Sequence, residues 1–166
     1  RILWLSLAVM LTGATVAAYL TRMVVPVEAS GSVVNGPDEM QVMLLADPDP
    51  GRLIGVGQPV RLDLAHRIGW GIVLNTAKIE SSLGEPFIQV TVAIVDPALG
   101  AVAGEACQGR ALVGYTPTIA GLWRLATNQP GRPTYGEPAQ LRRRIPDRLR
   151  DSDRYRRIEQ QLHSSL

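Results

Sequence analysis

The side chains best equipped for nucleophilic, acid–base or metal chemistry are few: His66, His163 and Cys107. A lone thiol cannot close an internal disulfide, and two histidines with one thiol leave little for a soft-metal site. His66 stands beside Arg67 at the end of an alternating segment, where it reads as a turn or surface residue rather than a base. Cys107, between Ala106 and Gln108, reads as a small buried hydrophobe. The Asp47/Asp49 pair is interleaved with Pro48 and Pro50, so it reads as a stiffened turn. Nothing near it would push two carboxyl pKa values apart for acid–base work. Gly55 and Gly57 mark a tight turn, with no helix pattern after them to hold a phosphate. Nucleophile-elbow, P-loop, H-E-x-x-H and paired-cysteine signatures are missing. The expectation is a non-enzyme with no metal, no cofactor and no small-molecule substrate.

The elements around these residues start with an apolar run. The chain has 166 residues, of which 46% are hydrophobic and 19% charged, below the ~25% charge of soluble domains. That composition excludes a mainly disordered chain, and a mean hydropathy of +0.07 suggests that part of it sits in lipid. Residues 2–20 carry no charge and are bounded by Arg1 and Arg22. As a helix they would span roughly 28 Å, close to the thickness of a hydrocarbon core. Trp4 and Tyr19 stand near the two ends, where amphipathic rings favour the headgroup level, and Pro26 is a helix stop. A transmembrane anchor is expected over 1–25; a cleaved signal peptide, with Val16-Ala17-Ala18 as its small-residue site, is the competing reading. Gly13 with Ala17, and Ala14 with Ala18, form small-xxx-small pairs that would let another helix approach closely, although small residues are also common in membrane helices.

After a linker over 26–38 the pattern changes to short strands punctuated by Gly, Pro and Asp. Strands are expected over 39–45, 59–64, 71–74, 87–95, 109–113 and 118–123. Val60, Leu62 and Leu64 alternate with Arg61 and Asp63, the period of a half-buried strand. Turn signals at 47–51, 55–57, 83–86 and 96–100 separate the runs, and no helix of useful length fits between 27 and 123. The expected fold class is mainly β: one N-terminal transmembrane helix, a small antiparallel β-barrel over 39–123, and an extended, partly helical C-terminal tail over 124–166.

Residues 47–64, DPDPGRLIGVGQPVRLDL, resemble the entry to the β-barrel of hemolysin-D-like (HlyD-like) periplasmic adaptors, the membrane fusion proteins. In that family a turn leads to a strand like Val56-Gly57-Gln58-Pro59-Val60-Arg61-Leu62. A glycine-containing strand like 69–74 and a long strand like 87–95 follow, and the closing element resembles 102–113. Residues 27–33, after an apolar helix, are similar to the family's entry into the periplasm. The resemblance implies a barrel, a membrane anchor and a bacterial inner-membrane location with the barrel on the periplasmic side. The family's long helical hairpin and lipoyl-like domain have no counterpart here, because only the seven residues 32–38 separate Gly31 from the first barrel-like strand. Bridging to an outer-membrane channel is therefore not implied.

Charge is unevenly distributed. Residues 1–123 carry 7 basic and 10 acidic residues, whereas 124–166 carry 10 arginines and 5 acids. Pro130, Pro133 and Pro138 make 124–140 a linker, and a helix is expected over 147–163. Arg142, Arg143, Arg144, Arg154, Tyr155, Arg157, Ile158 and Leu162 are the expected tail contacts, the apolar three lying on one side of that helix. A solvated basic helix, docking on an acidic protein face or on headgroups, and nucleic-acid binding are the three readings of this charge. The last is disfavoured because no nucleic-acid-binding fold accompanies it. The expected partners are membrane lipid and other subunits. The functional expectation is a structural or assembly subunit of a larger inner-membrane complex (transport, respiratory or photosynthetic), with a shortened export adaptor as the alternative.

Overall fold

The computed structural model describes residues 2–20, 22–37, 39–118, 134–135 and 137–164. The chain divides into two compact units, Arg1–Val25 with Gly114–Tyr135, and Pro26–Val113 with Gly136–Leu166.

The first unit holds α1 (Ile2–Leu20), the start of β1 (Arg22–Asn35), the end of β6 (Ala106–Pro117) and β7 (Thr134–Tyr135). β7 pairs antiparallel with β6 at Gly114 and Tyr115. α1 coincides with the uncharged run, and Thr15 Oγ1 donates back to the Leu11 carbonyl at 2.8 Å. Its side chains are described without interruption over residues 9–17. Among the described residues no helix is long and apolar enough to cross a membrane.

The second unit is a closed six-stranded antiparallel barrel with a helical tail packed on it. Its strands are β1, β2 (Met40–Ala46), β3 (Pro59–Leu64), β4 (Arg67–Glu80), β5 (Pro86–Ile94) and β6. They run in the order β1-β2-β5-β4-β3-β6, with β6 pairing back to β1. Closure is visible at Val33, whose N–H donates to the Glu105 carbonyl at 2.9 Å and whose carbonyl accepts from Gly104 at 2.8 Å. Alternation fills the interior with Val33, Val42, Leu44, Val60, Leu62, Leu64, Val73, Val90 and Val92, each 1% exposed or less. Gly109, opposite Leu62 on β3, has no Cβ because the Leu44 side chain occupies that space.

Residues 26–38, expected as a linker, are instead mostly strand, since β1 runs to Asn35 and pairs with β2 from Ser30↔Leu45 to Asn35↔Met40. Only Val27 and Val33 of 26–35 are buried, so the apolar alternation that marks a strand is faint there. β4 is also longer than expected. It continues past a bulge at Leu74 into a hairpin with β5, paired as far as Glu80↔Pro86. The expected strand over 118–123 lies outside the described residues apart from Thr118.

α2 (Pro48–Gly51) and a 3₁₀ turn (Pro97–Leu99) are single turns. The tail forms α3 (Pro138–Arg142), α4 (Asp147–Arg150) and α5 (Asp153–Ser164). The single helix expected over 147–163 is thus two. The break falls at Ser152, whose hydroxyl accepts from the Tyr155 N–H at 3.2 Å and starts α5.

Candidate interaction surfaces

Of the residues equipped for chemistry, His66, Asp47 and the Gly55/Gly57 pair lie in or beside turns, Cys107 is buried, and His163 Nδ1 lies 2.7 Å from the Glu159 carbonyl. Ala65 and His66, at φ 42° and 72°, are the two central residues of the β3–β4 turn. Two positive φ values define the hairpin turn whose twist matches the flanking strands. Cys107 is 3% exposed, and burial pushes its thiol up to about 11. Asp47 precedes α2 and its carbonyl accepts from Gly51 at 2.8 Å, whereas Asp49 points to solvent 4.0 Å from Arg52. Gln58 closes the Gly55–Gly57 turn by accepting from the Gly55 N–H at 3.0 Å. Among the described residues no group of three or more His, Cys, Asp or Glu side chains is placed to hold a metal.

The helix-packing candidates lie on α1. Gly13, Ala14 and Ala17 are exposed, and a Cβ on Gly13 would meet nothing within 4 Å. The side chain of Ala18 lies outside the described residues.

The tail candidates separate into two groups. Tyr155, Ile158 and Leu162 are 6%, 3% and 6% exposed, and they are covered by this chain rather than by a partner. Together with Ile145 and Leu149 they pack on Ile72, Ala93 and Val95 of the barrel's outer surface, edged by Trp70 and Leu74. The need for an external apolar surface, expected from the sequence, is met within the chain. Burial also raises the Tyr155 hydroxyl above its ordinary value, with Glu159 adding to the effect.

Three arginines fasten this cover. Arg142 is 15% exposed; its Nη1 donates to the Gly57 carbonyl at 3.2 Å and its Nη2 lies 3.6 Å from Glu159. Glu39 takes two cations on its two oxygens, Arg154 Nε at 2.7 Å and Arg157 Nη2 at 3.0 Å. Arg154 Nε is buried and makes no directed hydrogen bond, so that contact is chiefly one of charge. A groove of about 260 Å³ follows this seam between β2 and α5. Arg150 pairs with Asp147 within α4. Arg143 and Arg144, by contrast, are exposed in the turn after α3.

Sequence reasoning missed Glu39, Arg150 and the receiving residues Ile72, Ala93 and Val95. The available signal was the unbroken run Ile72-Val73-Leu74, since consecutive apolar residues on a strand imply burial on both faces. A further groove of about 260 Å³ lies among β1, β2 and β6, where Arg110 pairs with Glu28 at 3.2 Å beside Asp47. At the far end of the barrel, Arg67 donates to the Leu99 carbonyl at 2.8 Å and pairs with Glu105, holding that carboxyl below its usual range.

No family model, no curated protein and no solved structure matches this chain.

Proposed function

We propose that this chain is a non-catalytic, single-pass membrane protein that serves as a structural or assembly subunit of a larger bacterial inner-membrane complex. The observation that carries the reading is one chain joining an uncharged helix of 19 residues to a barrel whose interior is filled with aliphatic side chains. A barrel filled this way offers its outer surface, not a cavity, to other molecules. α1 supplies the anchor, and its Gly13/Ala17 face supplies a site for close helix contact in lipid. The barrel lies on the periplasmic side in this reading, as the likeness to HlyD-like adaptors implies.

Purification in mild detergent followed by size analysis tests the proposal. The expected result is co-elution with larger membrane subunits. A stable lone monomer of 18.0 kDa would sink it.

A second reading, a shortened periplasmic adaptor working with an export pump, is favoured by the closed six-stranded barrel, the architecture that the resemblance implied. Deletion separates the two. Loss of export of a defined substrate supports the adaptor, and a destabilised membrane complex with normal export supports the assembly subunit.

A further inference from the structure

The tail's eight arginines between residues 137 and 164 face five carboxylates. Arg142, Arg150, Arg154 and Arg157 are engaged with Glu159, Asp147 and Glu39. Arg143, Arg144, Arg148 and Arg156 are exposed, and none of them takes part in an ion pair among the described residues. We propose that these four unpaired arginines form a binding surface for the phosphate-bearing headgroups of an anionic phospholipid membrane. The inference deepens the anchored-subunit reading and rests on it for the nearness of the tail to lipid.

The choice of a lipid surface follows from what accompanies the charge. No large apolar side chain of residues 137–164 is exposed; the module's leucines, isoleucines and tyrosine are all buried, and all but Leu141 belong to the cluster on the barrel. Protein interfaces draw most of their affinity from aromatic or aliphatic anchors surrounded by a polar rim, and this surface lacks such anchors. Recognition of unpaired bases needs exposed aromatic rings for stacking, which are missing here as well. What remains, interleaved with the exposed carboxylates of Glu137, Asp151 and Asp153, is a set of separate guanidinium forks, each able to grip one phosphate with two parallel N–H donors. Headgroups diffuse laterally and can move to meet such points, so no matching fixed surface is required. Each arginine held at an anionic surface strengthens binding about five-fold, so four suffice only with help from a tether.

The test uses the full chain, first in phosphatidylcholine nanodiscs and then in discs containing about one-third phosphatidylglycerol. Trypsin cleavage after Arg143, Arg144, Arg148 and Arg156 is followed by mass spectrometry, with exposed Arg52 as the reference. Cleavage at the four sites slowed about five-fold or more in the anionic discs, and restored by high salt, is the expected result. Equal cleavage in both lipids overturns the proposal, as does stronger protection by soluble polyglutamate or duplex DNA than by the anionic discs. A chain that does not enter neutral discs refutes the anchor instead. The headgroup surface is then read by co-sedimentation with anionic but not neutral vesicles, and no such difference overturns it. The R143Q/R144Q/R148Q/R156Q variant, its fold checked by circular dichroism, should lose that difference, and retention of it would equally refute the assignment.

Discussion

Arg142 and Gly57, 85 residues apart, meet where the tail joins the barrel: the Arg142 Nη1 donates to the Gly57 carbonyl at 3.2 Å. Gly57 has a φ of +82°, and a Cβ there would lie 2.9 Å from the same Nη1. One glycine therefore permits both the turn and the guanidinium that covers it. Gly57→Ala and Arg142→Ala should each destabilise the protein by about 1–3 kcal/mol, through strain in the first case and a lost partly buried charge contact in the second. A double-mutant cycle by urea denaturation should show a coupling above about 0.5 kcal/mol. Strict additivity would mean that the two residues do not act together.

The tail is held by apolar burial more than by charge. Ile158 is 3% exposed against the barrel cluster, so Ile158→Ala should cost about 2–4 kcal/mol from lost contact and the cavity left behind. Removal of residues 136–166 should uncover Ile72, Ala93 and Val95 and raise binding of a hydrophobic dye. A variant within about 0.5 kcal/mol of wild type would show that the tail does not rest on the barrel in solution.

The strand pattern was readable where one face is buried and the other wet. Val60, Leu62 and Leu64 alternate with Arg61 and Asp63, and β3 occupies the span that alternation implies. The strand at 26–35 was not readable, because only Val27 and Val33 are buried and its pairing with β2 and β6 compensates for a weak local preference. In the tail, the spacing of Tyr155, Ile158 and Leu162 announced an amphipathic helix but not what it covers. That depends on Ile72 and Ala93, which face outward from a barrel whose curvature and bulge at Leu74 are set by long-range pairing. The partition of the arginines was equally hidden, since the single carboxylate of Glu39 meets residues 115 and 118 positions away.

The Arg67–Glu105 contact gives a pH dependence of known sign. Arg67 holds the Glu105 carboxyl below its ordinary value, so the folded chain binds this proton less readily than the unfolded one. The contribution is present at neutral pH and is lost as pH falls through the lowered folded value. Glu105→Gln should remove that part of the acid dependence while leaving the alkaline side unchanged, as followed by thermal unfolding between pH 7 and about pH 3. An acid limb identical to wild type would show that the contact carries no linkage.

Cys107 should behave as an inert thiol in the native chain. Burial raises it from 9.0 to about 11, so little thiolate exists at neutral pH and the sulfur is enclosed. Iodoacetamide at pH 8 should label it only at the rate of barrel opening, and fast, stoichiometric labelling of folded protein would contradict the packing. The sign for stability is alkaline: the raised value makes a contribution that is full below 9.0 and lost as pH climbs toward 11.

The β3–β4 turn carries strain that substitution can relieve. Ala65 and His66 both adopt positive φ, at 42° and 72°, with side chains that disfavour that region. Asn-Gly is the pair best suited to this turn, because asparagine tolerates the left-handed region and glycine has no Cβ to clash. The Ala65→Asn, His66→Gly double variant should gain about 0.5–1 kcal/mol and raise Tm by roughly 2–4 °C. The register Leu64↔Arg67 keeps both strands in place, so the gain should appear in the unfolding rate or midpoint without a change in circular dichroism. A loss of stability would mean that His66 makes a favourable contact outweighing its backbone strain. His66→Gly alone, if neutral while Ala65→Asn gains, would assign the strain to Ala65.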